Sequence, residues 1–147
     1  MRGWRPARAD AMPGLLINID VPDLAAGEAF YTRGLGLTPA RRFDEDIVEL
    51  LGAGVPIYLI VKPGGSGIGP AGGGARHYDR HWTPVHSDFT VDDLDAAVAR
   101  AVAAGAVLED GPLDLPYGRQ AMFADPFGNG FCLIEFNDRG YDALADG

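Results

Sequence analysis

The chain has 147 residues, one cysteine, and a formal net charge of −9 that includes a single lysine, Lys62. That length suits one domain, or two fused half-size modules, with a buried core. The lone Cys132 excludes an intrachain disulfide and the Cys-His spacings of structural zinc sites, the acidic balance excludes a counterion-displacing nucleic-acid surface, and no apolar run is long enough to span a membrane. A reducing cytoplasm is the expected compartment.

In chain order, residues 1–12, "MRGWRPARADAM", carry arginines but no apolar core of a signal peptide, and they read as a disordered extension with translation starting at Met12. A first module is expected over residues 13–62. Its opening strand alternates Leu15, Ile17, Ile19 and Val21 on one face with Leu16, Asn18 and Asp20 on the other. Asp23 is placed to cap a helix carrying Leu24, Gly27, Phe30 and Tyr31 at helical spacing. Strands follow over residues 47–51 and 56–61, separated by "GAG".

Residues 63–81, "PGGSGIGPAGGGARHYDRH", form a glycine-rich linker expected to be flexible and able to close over a ligand. Its "GIGPAG" matches a G-x-G-x-x-G pattern, yet Pro70 and the glycines 72–74 prevent the helix that a dinucleotide site needs.

The second module, residues 82–138, repeats the first. "LLINIDVPDLAAGEAFYTRGLGL" and "VHSDFTVDDLDAAVARAVAAGAVL" align at an offset of 70 residues, which brings Asp23-Leu24 onto Asp93-Leu94. Val85, Phe89 and Val91 share one strand face, and His86, Asp88 and Thr90 the other. Leu94, Ala97, Val98 and Ala101 mark the helix, and strands over residues 119–124 and 130–136 flank the turn "DPFGNG". Residues 139–147 are a C-terminal tail. The fold class is α+β, with a βαβββ unit used twice. Tyr78, His81 and Trp82 lie near the start of the second module, where they either pack or flank a flat ligand.

The paired units, the strand-to-"DL"-to-helix joints, "FYTRGLGL" and "DPFGNGFCLIEF" resemble the vicinal oxygen chelate superfamily of glyoxalases, bleomycin-resistance proteins and extradiol dioxygenases. The resemblance covers nearly all of residues 15–136. It implies two tandem modules related by a pseudo-twofold axis, their mixed sheets curving into a ligand cleft, and a homodimer. It also implies where metal ligands fall in metal-dependent members. Seven residues before the Asp of each "DL" joint stand Leu16 and His86; the two carboxylate positions fall on Tyr58 and Cys132. His86 is the one expected ligand kept. Cys132 with His86 would suit a soft metal but does not close a site, Asp88 shares the His86 face, and Glu135 points to the opposite face of its strand.

Each residue also has a plainer role. His86 could pair with Tyr58 or a backbone group, Cys132 could be a small core hydrophobe, and Asn18, Asp20 and Asp88 could be edge polar groups. The leading reading is a small-molecule binder without a tightly held metal or other cofactor, its pocket lined by Leu16, Asn18, Asp20, Tyr58, His86, Asp88, Cys132, Ile134 and Phe136. The alternative is a divalent-metal lyase, isomerase or dioxygenase with His86 as one ligand. A metal-free enzyme with His86 as general base is a third.

Overall fold

The computed structural model describes residues 13–70 and 72–146. The extension and start expected over residues 1–12 lie outside the described residues. The chain forms two compact units, with residues 33–35 grouped with the second, whose main part begins at Tyr78.

In the first unit, β1 (Ile17–Val21) leads into α1 (Leu24–Ala29), and β2 (Thr38–Phe43), β3 (Ile47–Leu51) and β4 (Ile57–Val61) complete the sheet. The strand order is β1-β4-β3-β2, with β1 parallel to β4 and the remaining pairs antiparallel. Asp23 caps α1 by accepting from the Ala26 amide at 2.8 Å. Gly27 lets the helix lie close to the sheet, since a Cβ there would stand 3.0 Å from Val21 and 3.3 Å from Leu59. Ile19, Leu59 and Val48 pair across neighbouring strands on one sheet face, and Leu59 and Val48 are fully buried. Each such side chain contributes roughly 1.5–3 kcal/mol on burial. The alternation read in the first strand thus carries the core of this unit.

The second unit repeats the plan with β5 (Ser87–Thr90), α2 (Leu94–Ala103), β6 (Val107–Leu115), β7 (Gly118–Ala124) and β8 (Gly130–Phe136), in the order β5-β8-β7-β6. Asp93 caps α2 through the Ala96 amide at 3.1 Å. Glu135 lies on the helix side of β8 and accepts from the Leu94 amide at 2.9 Å, so it satisfies a helix N-terminus and stays off the opposite face. Asp125 is buried and ties the turn before β8, accepting from the amides of Phe127 and Asn129 and from the Asn129 side chain.

Two strands were not located from the sequence, β2 and β6. Both are edge strands, both carry register shifts, and both are rich in charge or contain proline. An edge strand has one open side, so its sequence need not alternate.

The glycine-rich segment differs from an unstructured tether. Gly65 donates to Arg76 O and Arg76 to Ser66 O, each at 2.8 Å, and Gly67 bridges Ala75 in antiparallel fashion. The Arg76 guanidinium fastens this hairpin to Asp20 at 3.0 Å and Ser66 Oγ at 3.1 Å. Glycine composition concealed it because the backbone and one arginine, not apolar side chains, hold it. No helix starts among the described residues of the segment, which removes the dinucleotide motif.

Candidate functional site

In the first unit the face opposite α1 carries Asn18, Tyr58 and Glu49 in one cross-strand row. Glu49 was not anticipated, although a lone acid inside the apolar run "IVELL", on the same face as Tyr58, is the signal that could have found it. Its side chain is 1% exposed. The Arg41 guanidinium grips it through two parallel hydrogen bonds of 3.0 and 2.8 Å, and the Tyr58 hydroxyl donates to it at 2.8 Å. The register shift in β2 between Pro39 and Arg42 aims Arg41 onto the carboxylate. Against the opposing cost of burial, the Arg41 hydrogen bonds hold the Glu49 carboxyl down at about 2. Burial is the main cause that raises the Tyr58 hydroxyl above its ordinary value.

The Tyr58 hydroxyl, one of the groups expected to be open to His86, donates to Glu49. Asp20, expected to line a pocket, is held by Arg76. Leu16 lies just before β1, partly exposed and without a donor atom, and Asn18 is exposed.

In the second unit the corresponding face brings His86, Asp88 and Cys132 together. The parallel pairing of β5 with β8 places Asp88 directly opposite Cys132, and His86 precedes β5 on the same face. Their ligand atoms all lie within 4.8 Å of one another. Adjacent parallel strands in register bring Cys132 and His86 beside Asp88, which shares the His86 face as expected. His86 Nδ1 lies 3.0 Å from Asp88 Oδ1. Burial, and then the Asp88 carboxylate, push the Cys132 thiol up to about 11, so the thiol keeps its proton at neutral pH.

Two further residues, Tyr117 and Gln120, extend the cluster. Gln120 Nε2 donates to Cys132 Sγ at 3.7 Å, and the Tyr117 hydroxyl donates to Gln120 Oε1. Neither appeared in the sequence reading, because their strand alternation carries no sign of cross-strand partners. Ile134 sits between Thr90 and Gln120, fully buried. Phe136 is 38% exposed and meets Tyr117 at 6.1 Å and Tyr141 at 4.8 Å between ring centroids. Tyr141 belongs to a 3-10 turn, Gly140–Ala143, in the tail. Trp82 is 81% exposed, so it is not a packing residue.

Of the positions that the resemblance assigns to metal ligands, Leu16 offers no donor atom and the Tyr58 hydroxyl donates to Glu49, whereas in the second unit His86, Asp88 and Cys132 gather three donor atoms.

A profile for the "Glyoxalase-like domain" matches residues 16–134. The anthracycline biosynthesis protein DnrV of Streptomyces peucetius is 34% identical over 145 residues, which is 96% of this chain and 48% of that protein. Among solved structures, TnmS3, an antibiotic binding protein from Streptomyces sp. CB03234, superposes with a TM-score of 0.58 at 23% identity, over 88% of this chain and 100% of that one. A mutant of the fosfomycin resistance protein FosX from Listeria monocytogenes, complexed with Mn(II) and a dihydroxypropylphosphonic acid, gives 0.64 at 18% identity, over 88% and 94%. The chain spans about half the length of the curated relatives it matches. With the family match running from the residue before β1 into β8, the chain belongs to the glyoxalase-like domain family.

Proposed function

We propose that the protein binds a small aromatic organic molecule, without a tightly held catalytic metal. The observation that carries this is the half-exposed aromatic group Tyr117, Phe136 and Tyr141 beside the polar cluster Gln120, Cys132, Asp88 and His86. Apolar walls with a few convergent polar groups are the ordinary make-up of a small-molecule site. The relatives lend support, since one is named for anthracycline biosynthesis and another for antibiotic binding.

A thermal-shift screen of planar polyketide-like aromatics, followed by titration of any hit, tests it. The affinity is expected to fall about tenfold in Phe136→Ala and by a similar factor in His86→Ala, the scale of one lost contact each. A hit whose affinity is untouched by both substitutions places the site elsewhere.

The second reading, a divalent-metal lyase, isomerase or dioxygenase, draws on the three-donor cluster of His86, Asp88 and Cys132. Stoichiometric metal that survives dialysis in protein purified without chelator, and is lost in His86→Ala, moves this reading to first place. A metal-free enzyme with His86 as base is tested by turnover in protein stripped of metal with a chelator.

We further propose a homodimer, from the family resemblance, and a cytoplasmic location, from the lone cysteine. Among the described residues no helix is long and apolar enough to cross a membrane. Sedimentation velocity at micromolar concentration is expected to show a dimer, and a monomer throughout sinks that expectation.

A further inference from the structure

The hydrogen bonds across the second unit's sheet run in one direction. Tyr117 donates to Gln120 Oε1, Gln120 Nε2 donates to Cys132 Sγ, and the protonated Cys132 thiol faces the Asp88 carboxylate. From the other side, His86 Nδ1 meets Asp88 Oδ1 at 3.0 Å. A carboxylate accepts only, so the neutral imidazole must carry its proton on Nδ1 and turn a bare lone pair outward on Nε2.

The chain therefore consumes its own donors. Tyr117 has given its proton to Gln120 and keeps only lone pairs. Asp88 has acceptor capacity left and a side chain 36% exposed, and the His86 side chain is 50% exposed. The atoms that His86 and Asp88 leave free to meet a ligand are acceptors, while the second N–H of Gln120 is the one donor the cluster keeps.

We infer that this face selects ligands that donate a hydrogen bond, and specifically aromatic molecules carrying a free hydroxyl, seated with the hydroxyl toward His86 and Asp88 and the ring toward Tyr117, Phe136 and Tyr141. This deepens the small-molecule reading and rests on it. A carbonyl or ether oxygen between His86 and Asp88 would face their lone pairs, and a site whose acceptors are left without a donor discriminates against it. Asp88 acts here as a positioning residue, because it sets which imidazole nitrogen is bare.

Two measurements on the full chain test the inference. The first needs no ligand: nitrogen NMR of histidine-labelled protein above neutral pH, with His86 assigned through His86→Gln. The expected result is the Nδ1–H tautomer at His86, changing to Nε2–H in Asp88→Asn, whose amide can donate to Nδ1 instead. An Nε2–H tautomer in the unaltered protein overturns donor selection.

The second is titration with a matched pair of probes, a hydroxyanthraquinone whose hydroxyl lies remote from the quinone carbonyls, and its methyl ether. The hydroxyl form is expected to bind about tenfold more tightly, roughly the worth of one hydrogen bond. That preference should vanish in His86→Ala and shrink in Asp88→Asn, where Nε2–H becomes a donor to the ether oxygen, while the methyl ether binds the unaltered protein and His86→Ala alike. Equal affinity for the two probes in the unaltered protein overturns donor selection and leaves the binder reading standing. Failure of both probes to bind, with the Nδ1–H tautomer in place, overturns the reading of this face as an aromatic site.

Discussion

Arg41→Met is expected to lower the melting temperature by about 10 °C at neutral pH, because it leaves the buried Glu49 carboxylate without its cation. The bond to Tyr58 remains but cannot replace a bidentate guanidinium. The pH dependence follows from the sign of the shift. In the native fold the Glu49 carboxyl is held at about 2, below its ordinary 4.5. It therefore stabilises the fold at all pH values above that ordinary range, and the contribution is lost as pH falls through about 2. In Arg41→Met burial is opposed only by the Tyr58 hydroxyl and the residue 41 amide, so the carboxyl rises from about 2 and protonation relieves part of the penalty in acid. The gap in melting temperature between the two proteins should narrow from neutral pH to about pH 3. The double variant Arg41→Met/Glu49→Leu, which buries no charge, should recover most of the loss. A gap that stays constant with pH, together with a double variant no better than the single, would mean that the pair does not hold this sheet face together.

Gly128→Ala is expected to cost roughly 3 kcal/mol or more, against about 1 kcal/mol for Gly54→Ala. Both glycines have positive φ, +86° and +83°. They differ in what a Cβ would meet. At Gly54 nothing lies within 4 Å, whereas at Gly128 the Asp79 carbonyl oxygen would be 2.2 Å away and its carbon 2.7 Å. The neighbour is backbone, so it has no rotamer by which to yield. His81 N donates to Gly128 O at 3.1 Å in the same place, which fastens the stretch before β5 onto the turn before β8. Equal losses in the two variants, read by urea unfolding, would show that φ strain is the whole effect and the close approach carries none of it.

Much of the candidate site could be read from the sequence as positions, and little of it as partners. Strand alternation placed His86, Asp88 and Cys132, and likewise Asn18 and Tyr58, on the faces turned away from their helices, and pairing registers agree. What each atom bonds to was another matter. Spacing left Tyr58 open as a partner for His86, and its proton goes to Glu49, a residue hidden in an apolar run. Gln120 and Tyr117 were overlooked because only the antiparallel register of β7 on β8 sets Gln120 within reach of Cys132.

The sequence by itself determined the repeated βαβββ plan, the helix caps at Asp23 and Asp93, and the helix-facing role of Glu135, since these follow from short-range periodicity and local hydrogen bonding. Only the tertiary structure decided the edge strands β2 and β6, the hairpin that Arg76 ties to Asp20, the burial of Glu49 under Arg41, and the direction of the chain from Tyr117 to Asp88. Each of these joins residues from different strands or from the two ends of a long loop. A hydrogen bond of that kind depends on which atoms the register brings within about 3 Å, and side-chain spacing along one strand carries no record of that.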